Sequence, residues 1–97
     1  MTNQISGTAI TLNPDAVASL HDDGLVILHT RKGQMFTANR IGARIWRGIE
    51  LQLPVEVIAD EIGKEYRIAP ATVREHAARF LAELGRHNLI ERGPDHE

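Results

Sequence analysis

A chain of 97 residues with 42% apolar and 25% charged side chains is long enough for one small core and too short for a cleft between two lobes. It has no cysteine, which removes disulfides, thiolate zinc sites, iron–sulfur clusters and a cysteine nucleophile together, and fits a reducing cytoplasm. Its net charge of −2 argues against a dedicated DNA-binding domain, where phosphate neutralisation supplies most of the affinity.

The polar ends MTNQISG and GPDHE are expected to fray, leaving a single domain over residues 1–97 with an ordered core from about 8 to 91. TAITL alternates weakly and stops at the turn signal Asn13-Pro14-Asp15. AVASLH follows and ends at Asp22-Asp23-Gly24, where Asp-Gly is a hairpin signal. LVILHT is a near-continuous apolar run and reads as a central strand. Arg31-Lys32-Gly33 then turns into QMFTA, so three strands joined by two tight turns form an antiparallel meander.

From residue 40 the period becomes helical. Asn39 is a good N-cap, and Ile41, Ile45 and Ile49 recur every four residues with Trp46 beside them. Leu53-Pro54 opens a second helix with proline at its first position and Val55, Ile58, Ala59, Ile62 and Tyr66 inward. Pro70 opens a third, running to about Arg86, with Val73, Ala77, Phe80, Leu81 and Leu84 inward. Asn88 reads as its stop, after which Leu89 and Ile90 fold back on the core. The fold class is therefore α+β, a three-stranded antiparallel sheet followed by three helices, with one sheet face packed on the helices. The last two helices and the sheet look like a winged helix-turn-helix.

No candidate for catalysis emerges. The chain has no GxSxG elbow, no HExxH and no glycine-rich phosphate loop, so it is not expected to be an enzyme. The five histidines are scattered; His76 and His87 would share a helix face but stand about 16 Å apart along the axis, so no metal and no cofactor is expected. No apolar run approaches the roughly 18 residues that span a bilayer, and the N-terminus lacks a signal pattern, so no membrane association and a cytoplasmic location are expected.

Two binding functions remain. As a winged helix, the chain would present Arg74, Glu75, His76, Arg79 and Glu83 to DNA, but Glu75–Arg79 and Arg79–Glu83 pairs at four-residue spacing would balance the arginines internally. As a peptide binder, it would offer the edge of QMFTA to an added strand, unless a helix or TAITL caps that edge. Charge is uneven: Arg31, Lys32, Arg40, Arg44 and Arg47 precede an acidic stretch from Glu50 to Glu65. These are two solvated faces or a basic patch that meets an acidic partner segment.

At this point LHDDGLVILHTRKGQMFTANRIGARIW, LPVEVIADEIGKEYRIAP and RFLAELGRHNLIE resemble the PqqD-like proteins, small peptide-recognition elements of ribosomal peptide-modification pathways. The resemblance covers roughly residues 12 to 91 and is carried by Asp23-Gly24, Gly33, Phe36, Asn39, GARIW at 42–46 and FLAEL at 80–84. It is most similar to the stand-alone leader-binding proteins of lasso-peptide biosynthesis, with the pyrroloquinoline quinone pathway member second. The resemblance implies a precursor leader added as a strand between the third strand and the third helix, and delivery to a leader protease and a cyclase. It places Gln34, Met35, Phe36, Thr37 and Ala38 on the strand wall and Arg74, Ala77, Ala78 and Leu81 on the helix wall. Strand alternation favours Phe36 as core, with Met35 and Thr37 on the other face. Arg40, Arg44 and Arg47 would form an electrostatic patch for acids in the leader or the protease. His76 and Arg40 depart from the pattern, since relatives often carry an acid and a small residue there. A homodimer formed by strand exchange at the same edge is also open.

Overall fold

The computed structural model describes residues 10–92. In chain order these form β1 (Ile10–Leu12), β2 (Ala16–His21), β3 (Gly24–His29), β4 (Gln34–Asn39), α1 (Arg40–Glu50), α2 (Val55–Tyr66), α3 (Pro70–Arg86) and β5 (Ile90–Arg92). The expected meander is present as an antiparallel sheet of order β2-β3-β4, followed by the three expected helices.

Turn chemistry sets the meander. Asn13 Oδ1 accepts a hydrogen bond from the Asp15 N–H at 2.8 Å, which makes the turn into β2. The β2–β3 turn is Asp22-Asp23 alone, because His21 pairs with Gly24. Gly24 is thus not the turn residue that the Asp-Gly signal suggests. Its need for glycine is spatial: a Cβ there would stand 2.3 Å from the Ala38 carbonyl oxygen on β4. Gly33 does serve a turn, with a left-handed φ of 66° and its N–H bonded to the His29 carbonyl at 2.8 Å. The buried His29 ring supports the same turn, its Nδ1 accepting from the Lys32 N–H at 3.3 Å.

The helices start and stop as their residues direct, with one shift. Asn39 caps α1, its Oδ1 accepting from the Gly42 N–H at 2.9 Å. Pro54 was expected inside α2 but is its N-cap, because its ψ of 147° is extended and the helix begins at Val55. Pro70 is the first residue of α3. Asn88 ends that helix in a left-handed conformation, φ 61°, and the Leu89 N–H returns to the Leu84 carbonyl at 2.9 Å. Leu89 and Ile90 are then buried, as their apolar character directs.

Ile90–Arg92 goes further than the sequence suggests and forms β5, paired antiparallel with β1 in register Ile10↔Arg92 and Leu12↔Ile90. β1 is the described part of the expected TAITL strand; Thr8 and Ala9, and the two ends expected to fray, lie outside the described residues. One core joins the layers. Leu25 and Ile27 of β3, Trp46 of α1, Ile62 of α2, and Val73 and Leu84 of α3 are each nearly or fully inaccessible. Each contributes on the order of 1.5–3 kcal/mol by leaving water.

Candidate functional site

Strand β4 has one strand neighbour, β3, among the described residues. TAITL does not cap it, since β1 is paired with β5. Which backbone groups face the open side follows from register. A two-residue turn closes on a hydrogen-bonded pair, here His21 and Gly24, and the pairs then alternate. Gly24, Val26 and Leu28 therefore bond to β2, whereas Leu25, Ile27 and His29 bond to β4. On β4 their partners are Ala38, Phe36 and Gln34. The N–H and C=O groups of Met35 and Thr37 consequently point away from the sheet.

Beside this edge lies a groove of about 270 Å³. Its floor and near wall are Phe36 to Asn39 of β4 with Ile41, Gly42 and Ile45 of α1; its far wall is Val73, His76 and Phe80 of α3, with Ile68 at one end. The volume is of the size of one or two amino-acid side chains. Phe36 and Phe80 meet across it with ring centroids 6.1 Å apart and an interplanar angle of 49°, and His87 packs on Phe36 at 5.3 Å. Gly42 allows the strand end, α1 and α3 to converge: a Cβ there would be 2.7 Å from Ala38 Cβ and 3.2 Å from a Phe80 ring carbon.

The residues of the strand wall that the resemblance implies fall in two places. Phe36, Thr37 and Ala38 line the groove, whereas Gln34 and Met35 lie further along the edge, both exposed. Phe36 is half-buried and packs on the core while also lining the groove, so the two readings of it are compatible.

The residues of the implied helix wall lie outside the lining of this groove. Ala77 and Leu81 belong to the core, at 0% and 3% exposure, and Arg74 and Ala78 are exposed outside the groove. Val73, Ala77, Leu81 and Leu84 form the seam that α3 buries. The groove is lined by the neighbouring face, Val73, His76 and Phe80, spaced by three and four residues. Phe80, a large apolar residue off the four-residue seam, is the sequence signal for that face.

The charges also rearrange. Arg44 is held by Glu65 of α2, with Nε and Nη2 donating to Oε1 at 3.0 and 2.8 Å. The acidic segment that meets the basic helix is thus, for this residue, the chain's own. Arg47 lies 3.8 Å from Glu50, and Glu50 also accepts from the Trp46 indole N–H at 3.1 Å. Arg40 is exposed and makes no ion pair among the described residues. The balance expected on α3 is absent as well: Glu83 is engaged by Arg86 and approached by His87, not by Arg79. Among the described residues no three His, Asp or Glu side chains gather as metal ligands, and no helix is long and apolar enough to cross a membrane.

The site is a strand edge beside a groove with both apolar and polar lining. The family model described as coenzyme PQQ synthesis protein D (PqqD) matches residues 24–90, and the chain belongs to that family. Two solved structures are similar over nearly their whole length. TbiB1 in complex with the TbiA(beta) leader peptide is 32% identical with a TM-score of 0.78, covering 88% of this chain and 99% of its own. Lasso peptide synthetase B1 complexed with the leader peptide is 21% identical with a TM-score of 0.74, covering 89% and 99%, and shares the fold. No curated protein matches the chain.

Proposed function

We propose that this protein is a non-catalytic carrier that binds the leader segment of a ribosomally made precursor, of the lasso-peptide type, by adding it as a strand to β4. The observation that carries the reading is the outward N–H and C=O of Met35 and Thr37 on an edge that borders the groove between β4 and α3. Backbone pairing there supplies affinity with little selectivity. Selectivity comes from side chains of the leader that enter the groove against Phe36, Val73 and Phe80. Gln34, Met35, Thr37 and Ala38 form the strand side of the interface, and Arg74 and Ala78 are within reach only of a peptide that extends past the groove. Arg40 is the member of the basic patch free to meet an acidic leader residue or enzyme. The carrier then passes the precursor to a leader protease and a cyclase. The similarity to two leader-peptide complexes of B1 proteins supports this assignment.

The test is fluorescence anisotropy with a labelled synthetic leader of a lasso-peptide precursor and duplex DNA as competitor. Saturable binding that DNA does not displace is the expected result. Salt-sensitive DNA binding without leader binding would mean a winged-helix regulator, for which the exposed Arg74 and Arg79 would be the first residues to examine. Because the matching family model is described by pyrroloquinoline quinone synthesis, the precursor peptide of that pathway is the second peptide to titrate.

A further inference from the structure

The groove is not uniformly apolar. Thr37, Asn39 and His76 share its lining with the rings of Phe36 and Phe80, and no carboxylate lines it. His76 is the lining residue that can carry charge.

The described histidines differ in how they are held. His21 lies 3.0 Å from the Ser19 hydroxyl, His29 accepts from the Lys32 N–H, and His87 approaches Glu83 at 3.7 Å. His76 is exposed and makes no hydrogen bond or ion pair among the described residues. Asn39 uses its Oδ1 to cap α1, which leaves its Nδ2 without a partner among the described residues. The polar part of the groove therefore offers donors.

The charges around His76 favour the same sign. Its neighbours one turn away on α3 are Thr72, Val73, Arg79 and Phe80, which include a cation and no acid. Glu75 precedes it directly and so points about 100° away around the axis, and Arg74 is turned further still. Across the groove, β4 lines it with no titratable group. The start of α1 carries Arg40, exposed and without an ion pair among the described residues, and the link from α2 carries the exposed Arg67 beside Ile68. A peptide carboxylate entering here meets donors and cations, whereas a lysine meets no acid in the lining.

Spacing sets the pattern that fits. Residues two apart in an added strand face the same side, about 7 Å from each other. Phe80 and His76 are one helical turn apart, about 6 Å along the axis. One side chain can thus rest on the phenylalanine rings while the next on that side reaches His76.

We infer that His76 is a specificity-determining residue, selecting a peptide that carries Asp or Glu two positions from its apolar anchor. The inference deepens the leader-binding reading above and rests on it. Because histidine gains its charge as pH falls while the carboxylate stays ionised, the preference for the acid strengthens from about pH 8 to about pH 5.5.

The experiment is anisotropy with a labelled synthetic lasso-precursor leader in which each position is replaced in turn by Glu, Gln and Lys. Wild type, His76→Gln and His76→Glu are compared at both pH values, with circular-dichroism melts to confirm folding. Wild type is expected to prefer Glu over Gln by roughly fivefold at one position, two residues from an apolar anchor, at the lower pH, and by less at the higher. His76→Gln is expected to abolish that preference and its pH dependence, and His76→Glu to favour Lys at the same position. If His76→Glu does not fold, His76→Gln decides. A preference that persists with its pH dependence in His76→Gln overturns this inference and leaves leader binding standing. So does a wild type that binds leader with no preference for an acid at any position. A wild type that binds none of these leaders brings down the functional reading and this inference with it.

Discussion

Strands β2 and β4 flank the same central strand and have the same length of six residues, yet their open edges have different surroundings. The β2 edge starts at the Asn13–Asp15 turn and carries the exposed Val17 and Leu20. The β4 edge runs directly into α1, where Asn39 caps the helix, and it faces α3 across the groove. Unpaired N–H and C=O groups are common to both. The groove of Phe36 to Asn39 and α3 lies beside β4, and strand addition draws its specificity from such pockets. The difference teaches that two open edges of one sheet are unequal when a second element walls one of them.

The largest effect expected from breaking this asymmetry is a proline at Thr37 or Met35. Each removes an outward donor, and leader affinity should fall on the order of a hundredfold in anisotropy while the fold is retained. Ala18→Pro is the matched control on β2. Ala18 pairs with Ile27, whose groups serve β4, so its own N–H also points outward. Leader affinity should be unchanged there; equal losses on both edges would refute addition at β4.

Phe80→Ala removes the groove wall that β2 lacks. Phe80 is half-buried, so the loss in denaturant-melt stability should be about 2 kcal/mol, below the ~3–5 kcal/mol of a fully buried ring. Leader affinity should fall with it. Asn39→Ala deletes the cap at the end of the β4 edge and should lower stability by about 1 kcal/mol in the same melts. The smallest effect is expected for Arg44→Glu. It replaces the partly exposed Arg44–Glu65 pair by a repulsion, so Tm should drop by an amount worth about 1 kcal/mol or less, and less still at high salt. A large loss of leader affinity instead would restore Arg44 to the binding surface.

The elements were legible because their signals are local. Asn13-Pro14-Asp15, Gly33, Asn39, Pro70 and Asn88 each act within a few residues, and each ends or begins an element where expected. The site was less legible because a groove is a relation between elements. A four-residue seam on α3 marks what is buried but not which flank of that seam meets β4. The resemblance implies Ala77 and Leu81 as a helix wall, whereas Val73, His76 and Phe80 line the groove beside β4. Arg44 shows the same limit in charge: its partner, Glu65, is 21 residues away.

The sequence by itself determined the α+β order, the antiparallel meander and most helix ends, since periodicity, capping and turn residues act over short spans of chain. Only the tertiary structure decided that β1 closes against β5, that β4 has no second strand neighbour among the described residues, and that Val73, His76 and Phe80 lie beside it. Those outcomes depend on how distant segments pack around Trp46 and Ile27, and such packing has no signature within any one segment.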